Sequence, residues 1–349
     1  MNSLALLLRP VSWLYGAAVW VRGKCYDLGV FRVDRVSVPV ISVGNMSAGG
    51  TGKTPLVEYL VRMLLAERLR VAVVSRGYRR TTSGSFLVSD GTTLSVTAGE
   101  AGDEPYQIAR KFPRAVVIVD ERRARAAAVA VRDHAAQVII LDDGFQHRAL
   151  GRDLDIVAVD STKPLRTMPL LPSGLRRDVM RSLERAGVLV YSRCADPAHA
   201  HEELGEAASA AECCVRADAR RCVSIAGTGE IPLSALPGST AVAFCAIGDP
   251  LSFRRSIEDA GCTVLDFQTY PDHHEFADAD LEMVRVSADE RRPDHVLTTE
   301  KDAMRLIGRT GLAALLPRTT SYLEIECRML RGEERFRERV LGVARRSAA

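Results

Sequence analysis

Val40-Ile41-Ser42-Val43-Gly44-Asn45-Met46-Ser47-Ala48-Gly49-Gly50-Thr51-Gly52-Lys53-Thr54 is the stretch that decides how this 349-residue chain folds. Residues 36–43 are rich in β-branched side chains and read as a strand, and Leu56, Val57, Leu60 and Leu64 then recur at helical spacing. Strand, glycine loop and helix in that order form a phosphate-binding loop. Its backbone N–H groups curl around a phosphate chain where the helix dipole is positive, Lys53 reaches the β and γ phosphates, and the Thr54 hydroxyl holds Mg²⁺. Ser47, Ala48, Gly49, Gly50, Thr51, Gly52, Lys53 and Thr54 are therefore the expected nucleotide-binding residues. Ser47 occupies the position of the first consensus glycine, and Gly44, Gly49 and Gly50 are expected to keep the loop flexible.

Outward from this loop, short apolar runs alternate with helical patterns, at residues 71–74, 115–119, 138–141, 156–159 and 188–191. The alternation predicts an α/β fold, a parallel sheet of the P-loop NTPase type with helices on both faces. Residues 30–220 are expected to form this core, with residues 196–221 helical in pattern. A second series of strands, near 241–247, 263–267, 296–298 and 321–326, predicts a smaller α/β lobe over 221–349 that ends in a charged helix. The two lobes are expected to face each other across a cleft.

Composition narrows the class of function. Hydrophobic content of 47% and charged content of 26% suit a folded chain with a large core. A net charge of +3 without any nucleic-acid-reading signature gives no reason to expect a nucleic-acid partner. Eight cysteines without a CxxC pair point away from a disulfide scaffold and towards a reducing compartment. Between residues 4 and 21 the only charge is Arg9, and both tryptophans, Trp13 and Trp20, lie there. The apolar run of 11–21 is too short to span a bilayer, so residues 1–29 read as an interfacial membrane helix, the alternatives being a signal peptide or a helix packed on its own domain.

Several side chains are candidates for chemistry. The strand at 138–141 ends in Asp142 and Asp143, either of which can fix Mg²⁺ beside a phosphate loop or cap the following turn. Arg76 follows the strand at 71–74 and can touch a phosphate or make a structural ion pair. Asp103 reads as a helix N-cap or as a general base for a substrate hydroxyl, with His273 across the cleft as its partner once the lobes close. The segments around Arg122 and around Arg177-Asp178 are solvated arginines by default, or contacts to an anionic head group beside a phosphotransfer site.

The motifs in order resemble the tetraacyldisaccharide 4'-kinases, inner-membrane enzymes of lipid A biosynthesis. They are residues 40–45 into 49–55, Ser75-Arg76-Gly77-Tyr78, Gly102-Asp103-Glu104-Pro105, Asp142-Asp143-Gly144-Phe145-Gln146-His147, Asp272-His273 and Thr299-Glu300-Lys301-Asp302. The N-terminal run Pro10-Val11-Ser12-Trp13-Leu14-Tyr15-Gly16 is similar too. The resemblance implies transfer of the ATP γ-phosphoryl group, with Mg²⁺, to the 4'-hydroxyl of a tetraacylated glucosamine disaccharide 1-phosphate at the cytoplasmic face of the inner membrane. It implies Asp103 and His273 as the base pair of the reaction, with Lys53 in the donor site and a membrane attachment through the first helix. The chain departs from the family at Asp178, where a glutamate is usual, which shortens or removes that contact. The competing reading is a membrane-associated nucleotide switch. Oligomeric state is not legible, a monomer being the working expectation.

Overall fold

The computed structural model describes residues 7–194, 211–227 and 229–347. Thirteen strands form one sheet. In chain order they are β1 (Val40–Asn45), β2 (Val71–Ser75), β3 (Phe86–Asp90), β4 (Val116–Val119), β5 (Val138–Asp142), β6 (Leu154–Asp160) and β7 (Val188–Ser192). There follow β8 (Ala211–Ser224), β9 (Glu230–Pro232), β10 (Thr240–Cys245), β11 (Thr263–Thr269), β12 (His295–Thr299) and β13 (Thr320–Arg331). The order across the sheet is β11-β10-β12-β13-β8-β7-β6-β1-β5-β2-β4-β3, with β9 on β8.

From β7 to β4 all pairings are parallel, and β3 closes that edge antiparallel. Strands β1, β2, β4, β5, β6 and β7 are buried along their whole length, as parallel strands covered by helices on both faces must be. Successive residues of β1 serve opposite layers. Ile41 and Val43 join the core under the helix Lys53–Ala66, whereas Val40 joins Ala126, Ala127 and Ala130 of the helix Arg123–His134. The topology puts the C-terminal ends of β1 and β5 side by side, with Val43 opposite Asp142.

The two halves of the chain share this sheet. Strand β8 runs parallel to β7 and antiparallel to β13 over ten paired positions, so residue 220 lies within a strand common to both halves. One core cluster runs through both, from Ile41 and Leu60 to Val215, Phe244 and Phe336. The helical reading of residues 196–221 fails from Ala211 onward, where the chain is β8; residues 195–210 lie outside the described residues. Alanine and glutamate content is a weak preference, and the long ladder with β13 overrides it. The C-terminal helix Glu333–Ala344 folds back on Lys53–Ala66, with Phe336 edge-on to Tyr59 and the Tyr59 hydroxyl donating to Glu333 at 2.8 Å.

The first helix, Arg9–Asp27, lies against the segment 169–177. Ser12 Oγ donates to Leu170 O at 3.0 Å, the Tyr15 hydroxyl donates to Arg177 O at 2.8 Å, and Gly16 abuts Leu170. The opposite side of the helix is apolar and bare. Trp13 is 75% exposed, Leu14 73% and Trp20 48%, with Val11 and Val21 beside them. Among the described residues no helix is long and apolar enough to cross a membrane.

Candidate active site

The donor loop is organised by Asn45, a fully buried polar residue at the end of β1. Its Nδ2 donates to Ser47 O (2.7 Å) and Thr51 Oγ1 (2.8 Å), and its Oδ1 accepts from Lys53 Nζ (3.2 Å) and Arg177 Nη1 (3.1 Å). Both ends of the loop are thereby tied to one side chain. Gly52 caps the helix Lys53–Ala66 in the left-handed region, at φ 72°, which aims the first helical N–H groups into the loop. The loop is backed by the segment 175–177 through Ala48 N to Leu175 O (2.7 Å) and Arg177 N to Met46 O (2.7 Å). Gly44 serves close approach rather than flexibility, because a Cβ there would meet Phe145 Cβ at 2.5 Å.

Asp142 and Asp143 sit at the end of β5 in different electrostatic states. Lys53 Nζ lies 2.6 Å from Asp143 Oδ1, and Arg177 donates to both Asp143 oxygens at 3.0 and 3.2 Å. Burial works to raise the Asp143 carboxyl, but Lys53 and Arg177 outweigh it and hold the group below the usual carboxylate range. Among the described residues the Asp142 carboxylate accepts from Ser75 Oγ, at 3.0 Å, and burial pushes it up to about 6 against the attraction of Lys53. The charge of Glu104 contributes to that rise, and the start of the helix Asp103–Lys111 abuts Gly77 and Tyr78, just beyond Ser75.

Asp103 is the first residue of that helix, and its N-cap is Gly102, so its carboxylate is not spent on capping. It meets His273 instead. His273 Nδ1 is 3.1 Å from Asp103 Oδ2, Arg305 Nε is 3.7 Å from the same oxygen, and the Tyr78 ring lies edge-on to the imidazole at 5.5 Å. The sequence suggested that this pair would form only when two lobes close. The pair is already in contact, because β8 and the shared core hold the halves in one body. His274 faces away, stacked on Tyr270 and bonded to Asp280 at 2.8 Å.

The other candidates separate clearly. Arg177 lies in the donor site. Asp178 does not reach it, since Oδ1 caps its own turn, accepting from Val179 N (2.9 Å) and Ser182 Oγ (2.6 Å). Arg122 is exposed and its backbone N–H caps onto Asp120 at 2.8 Å; the neighbouring Arg123 is the one turned inward. Burial and the nearby Arg76 charge lower the Arg123 group, while Asp143 and Asp142 attract it. Arg76 is exposed, and its charge weighs on both Arg123 and His147. Burial, with Arg123 beside it, pushes His147 down to about 4, so this imidazole stays neutral. Sequence reasoning missed Asn45, Arg123 and Arg193. Arg193 leaves the end of β7 beside Gly50 and bonds Asp249 of the second half at 2.7 Å. A buried asparagine closing an apolar strand is the one signal among these that was visible in advance.

A family model, tetraacyldisaccharide-1-P 4'-kinase, matches residues 4–345. The chain belongs to that family. The tetraacyldisaccharide 4'-kinase of Chlorobaculum parvum is 36% identical over 98% of this chain and 96% of its own length. That of an Anaeromyxobacter species is 38% identical over 95% and 90%. The crystal structure of LpxK from Aquifex aeolicus in complex with ATP superposes with a TM-score of 0.80 at 31% identity, covering 97% of this chain and 99% of that one. This tetraacyldisaccharide 4'-kinase homologue is accordingly a kinase of the lipid A pathway and not a nucleotide switch.

Proposed function

We propose that this kinase transfers the γ-phosphoryl group of ATP to the 4'-hydroxyl of a tetraacylated disaccharide 1-phosphate, with Asp103 as the base. The observation that carries the reading is the Asp103–His273 contact of 3.1 Å at the start of a helix that abuts Gly77 and Tyr78, just beyond the Ser75 that donates to Asp142. A base and a phosphate cradle in one corner suit in-line attack on the γ phosphorus. Asp103 takes the hydroxyl proton while the oxygen–phosphorus bond forms, and the bond from the γ phosphorus to the bridging oxygen breaks to leave ADP.

The donor set fits Mg²⁺, since the Thr54 hydroxyl and the Asp142 and Asp143 carboxylates are hard oxygen ligands at a P-loop. When bound, the ion neutralises charge on the phosphates. Lys53 and the amides of residues 49–54 hold the phosphate chain, the Ala48 amide being engaged by Leu175 O, and Asn45 keeps Lys53 and the loop in register. Arg177 contacts Asp143 directly, and Arg123 and Arg76 add positive charge near the Asp142–Asp143 pair. They are the candidate contacts to the transferred phosphoryl group and to the anionic acceptor. The bare apolar side of Arg9–Asp27 suits insertion at the cytoplasmic face of the inner membrane, where acyl chains stay in the bilayer while the sugar enters the site.

Labelled ATP and the disaccharide 1-phosphate in mixed micelles test the reading. Label is expected in a bisphosphorylated lipid, and ATP turnover is expected only with the lipid present. Rapid ATP hydrolysis without lipid, and no labelled lipid, would sink it. Asp103→Ala is expected to bind ATP normally and lose about 10²-fold or more in turnover.

A further inference from the structure

The Asp103–His273 pair has a third member. Lys301, in the first turn of the helix Glu300–Leu306, places Nζ 3.0 Å from His273 Nε2 and 3.1 Å from the Glu104 carboxylate. An ammonium carries three donors and no lone pair, so Nε2 must be the bare, accepting nitrogen of the imidazole. The ring hydrogen then sits on Nδ1 and is donated to Asp103 Oδ2, 3.1 Å away. We propose that Lys301 is a positioning residue of the phosphoryl transfer, which locks His273 in the Nδ1–H tautomer and so keeps the Asp103 carboxylate oriented for the acceptor hydroxyl.

Charged groups reach His273 from both halves of the chain. From the loop of His273 itself, Asp272 Oδ1 is 4.0 Å from Nε2; from the Asp103 helix come Asp103 and Glu104. Lys301 and Arg305 arrive from Glu300–Leu306, and Arg79 from the first half donates to the carbonyls of Asp272 and His273 at 3.4 Å. A proton on Nε2 would face the Lys301 ammonium directly. Lys301 is itself held between two anchored neighbours. Glu300 is bonded to Lys111 at 3.1 Å, and Asp302 accepts from Ala246 N at 2.9 Å and Thr299 Oγ1 at 2.6 Å.

The arrangement has a mechanistic consequence. Because Nδ1 already holds a hydrogen and Nε2 is covered by Lys301, His273 has no vacant site for the proton that Asp103 abstracts. That proton stays on Asp103 until product leaves, and His273 orients the base without relaying its proton.

The inference rests on Asp103 being the base, and a readout independent of turnover separates the two. In full-length protein labelled with ¹⁵N-histidine, His273 signals are identified by their loss in His273→Gln. Wild type is expected to show a protonated Nδ1 and a bare Nε2; a protonated Nε2 in wild type overturns the proposal without any Lys301 variant. In Lys301→Met, Nε2 is expected to gain the hydrogen, with kcat falling about 10-fold or more and KM for ATP within about twofold. Lys301→Arg, which keeps a cationic donor, is expected to restore the tautomer and most of the turnover. An unchanged tautomer or near-wild-type kcat in Lys301→Met overturns the proposal. Wild-type turnover in Asp103→Ala removes the base reading while leaving the tautomer result to stand.

Discussion

At the residue scale, the adjacent carboxylates Asp142 and Asp143 behave differently because only one of them has cations in contact. Asp143, between Lys53 and Arg177, is ionised throughout the physiological range. Asp142, raised by burial to about 6, holds its proton more tightly folded than unfolded. Its contribution to stability is therefore present at acid pH and is lost as pH rises through about 6. A metal ion at this carboxylate competes with that proton. Apparent Mg²⁺ affinity is expected to weaken by about tenfold for each pH unit below 6 and to be flat above it, because the ligand must first lose its proton. Mg²⁺ titrations of ATP binding across that range check this, and Asp142→Asn should bind Mg²⁺ weakly with little pH dependence. The places of Lys53, Asp142 and Asp103 in the fold were legible in the sequence because each stands at a strand end or a helix start. Asn45 and Lys301 lay inside quoted motifs without a role, and Arg122 stood in for Arg123. Which way a side chain turns depends on partners distant in sequence, here Arg177 for Asn45 and His273 for Lys301.

At the element scale, the site is held by a buried ionic hub that no local pattern announces. Lys111, at the end of the Asp103 helix, meets Glu58 of Lys53–Ala66 at 2.7 Å, Glu300 at 3.1 Å and Glu324 of β13 at 3.4 Å. The hub ties the helices Lys53–Ala66, Asp103–Lys111 and Glu300–Leu306 to β13. Its carboxylates outnumber its central cation, and burial pushes Glu300 up to about 8. A carboxyl raised in the folded state favours folding at acid pH, and that contribution is lost as pH climbs through about 8. Lys111→Met is expected to destabilise the protein by about 3–5 kcal/mol near pH 8, since it leaves buried carboxylates without their cation. The loss should shrink towards about pH 5, where Glu300 takes up a proton. Urea unfolding at both pH values measures it, and a pH-independent loss would show that packing rather than charge governs this hub. The failed helix over β8 has the same origin as the hidden hub. Both are decided by β13, more than a hundred residues further along the chain.

At the scale of the whole molecule, the alternation of apolar runs and helical segments was enough to anticipate a parallel P-loop sheet. It could not show that the second series of strands adds to the same sheet, because strand order is set by pairing between distant segments. Sharing one sheet fixes where the helix Arg9–Asp27 stands relative to the phosphate loop. Ser12 and Tyr15 of Arg9–Asp27 grip Leu170, Ser173 and Arg177, and the segment that follows, Leu175 to Arg177, backs the phosphate loop. Leu175 is itself half exposed on the way from the helix to the loop. The helix that carries the bare tryptophans thus grips the same segment that backs the phosphate loop. Burying each exposed tryptophan or leucine of that helix at an interface contributes on the order of 1.5–3 kcal/mol. Trp13→Ser with Trp20→Ser is therefore expected to weaken partitioning onto phospholipid vesicles by at least about tenfold. Because neither ring touches the loop, ATP binding in solution should be unchanged. Vesicle co-sedimentation at graded lipid concentration, run beside a nucleotide-binding titration, reads both quantities. Equal partitioning of variant and wild type would remove this helix from membrane attachment and assign the exposed face to some other partner.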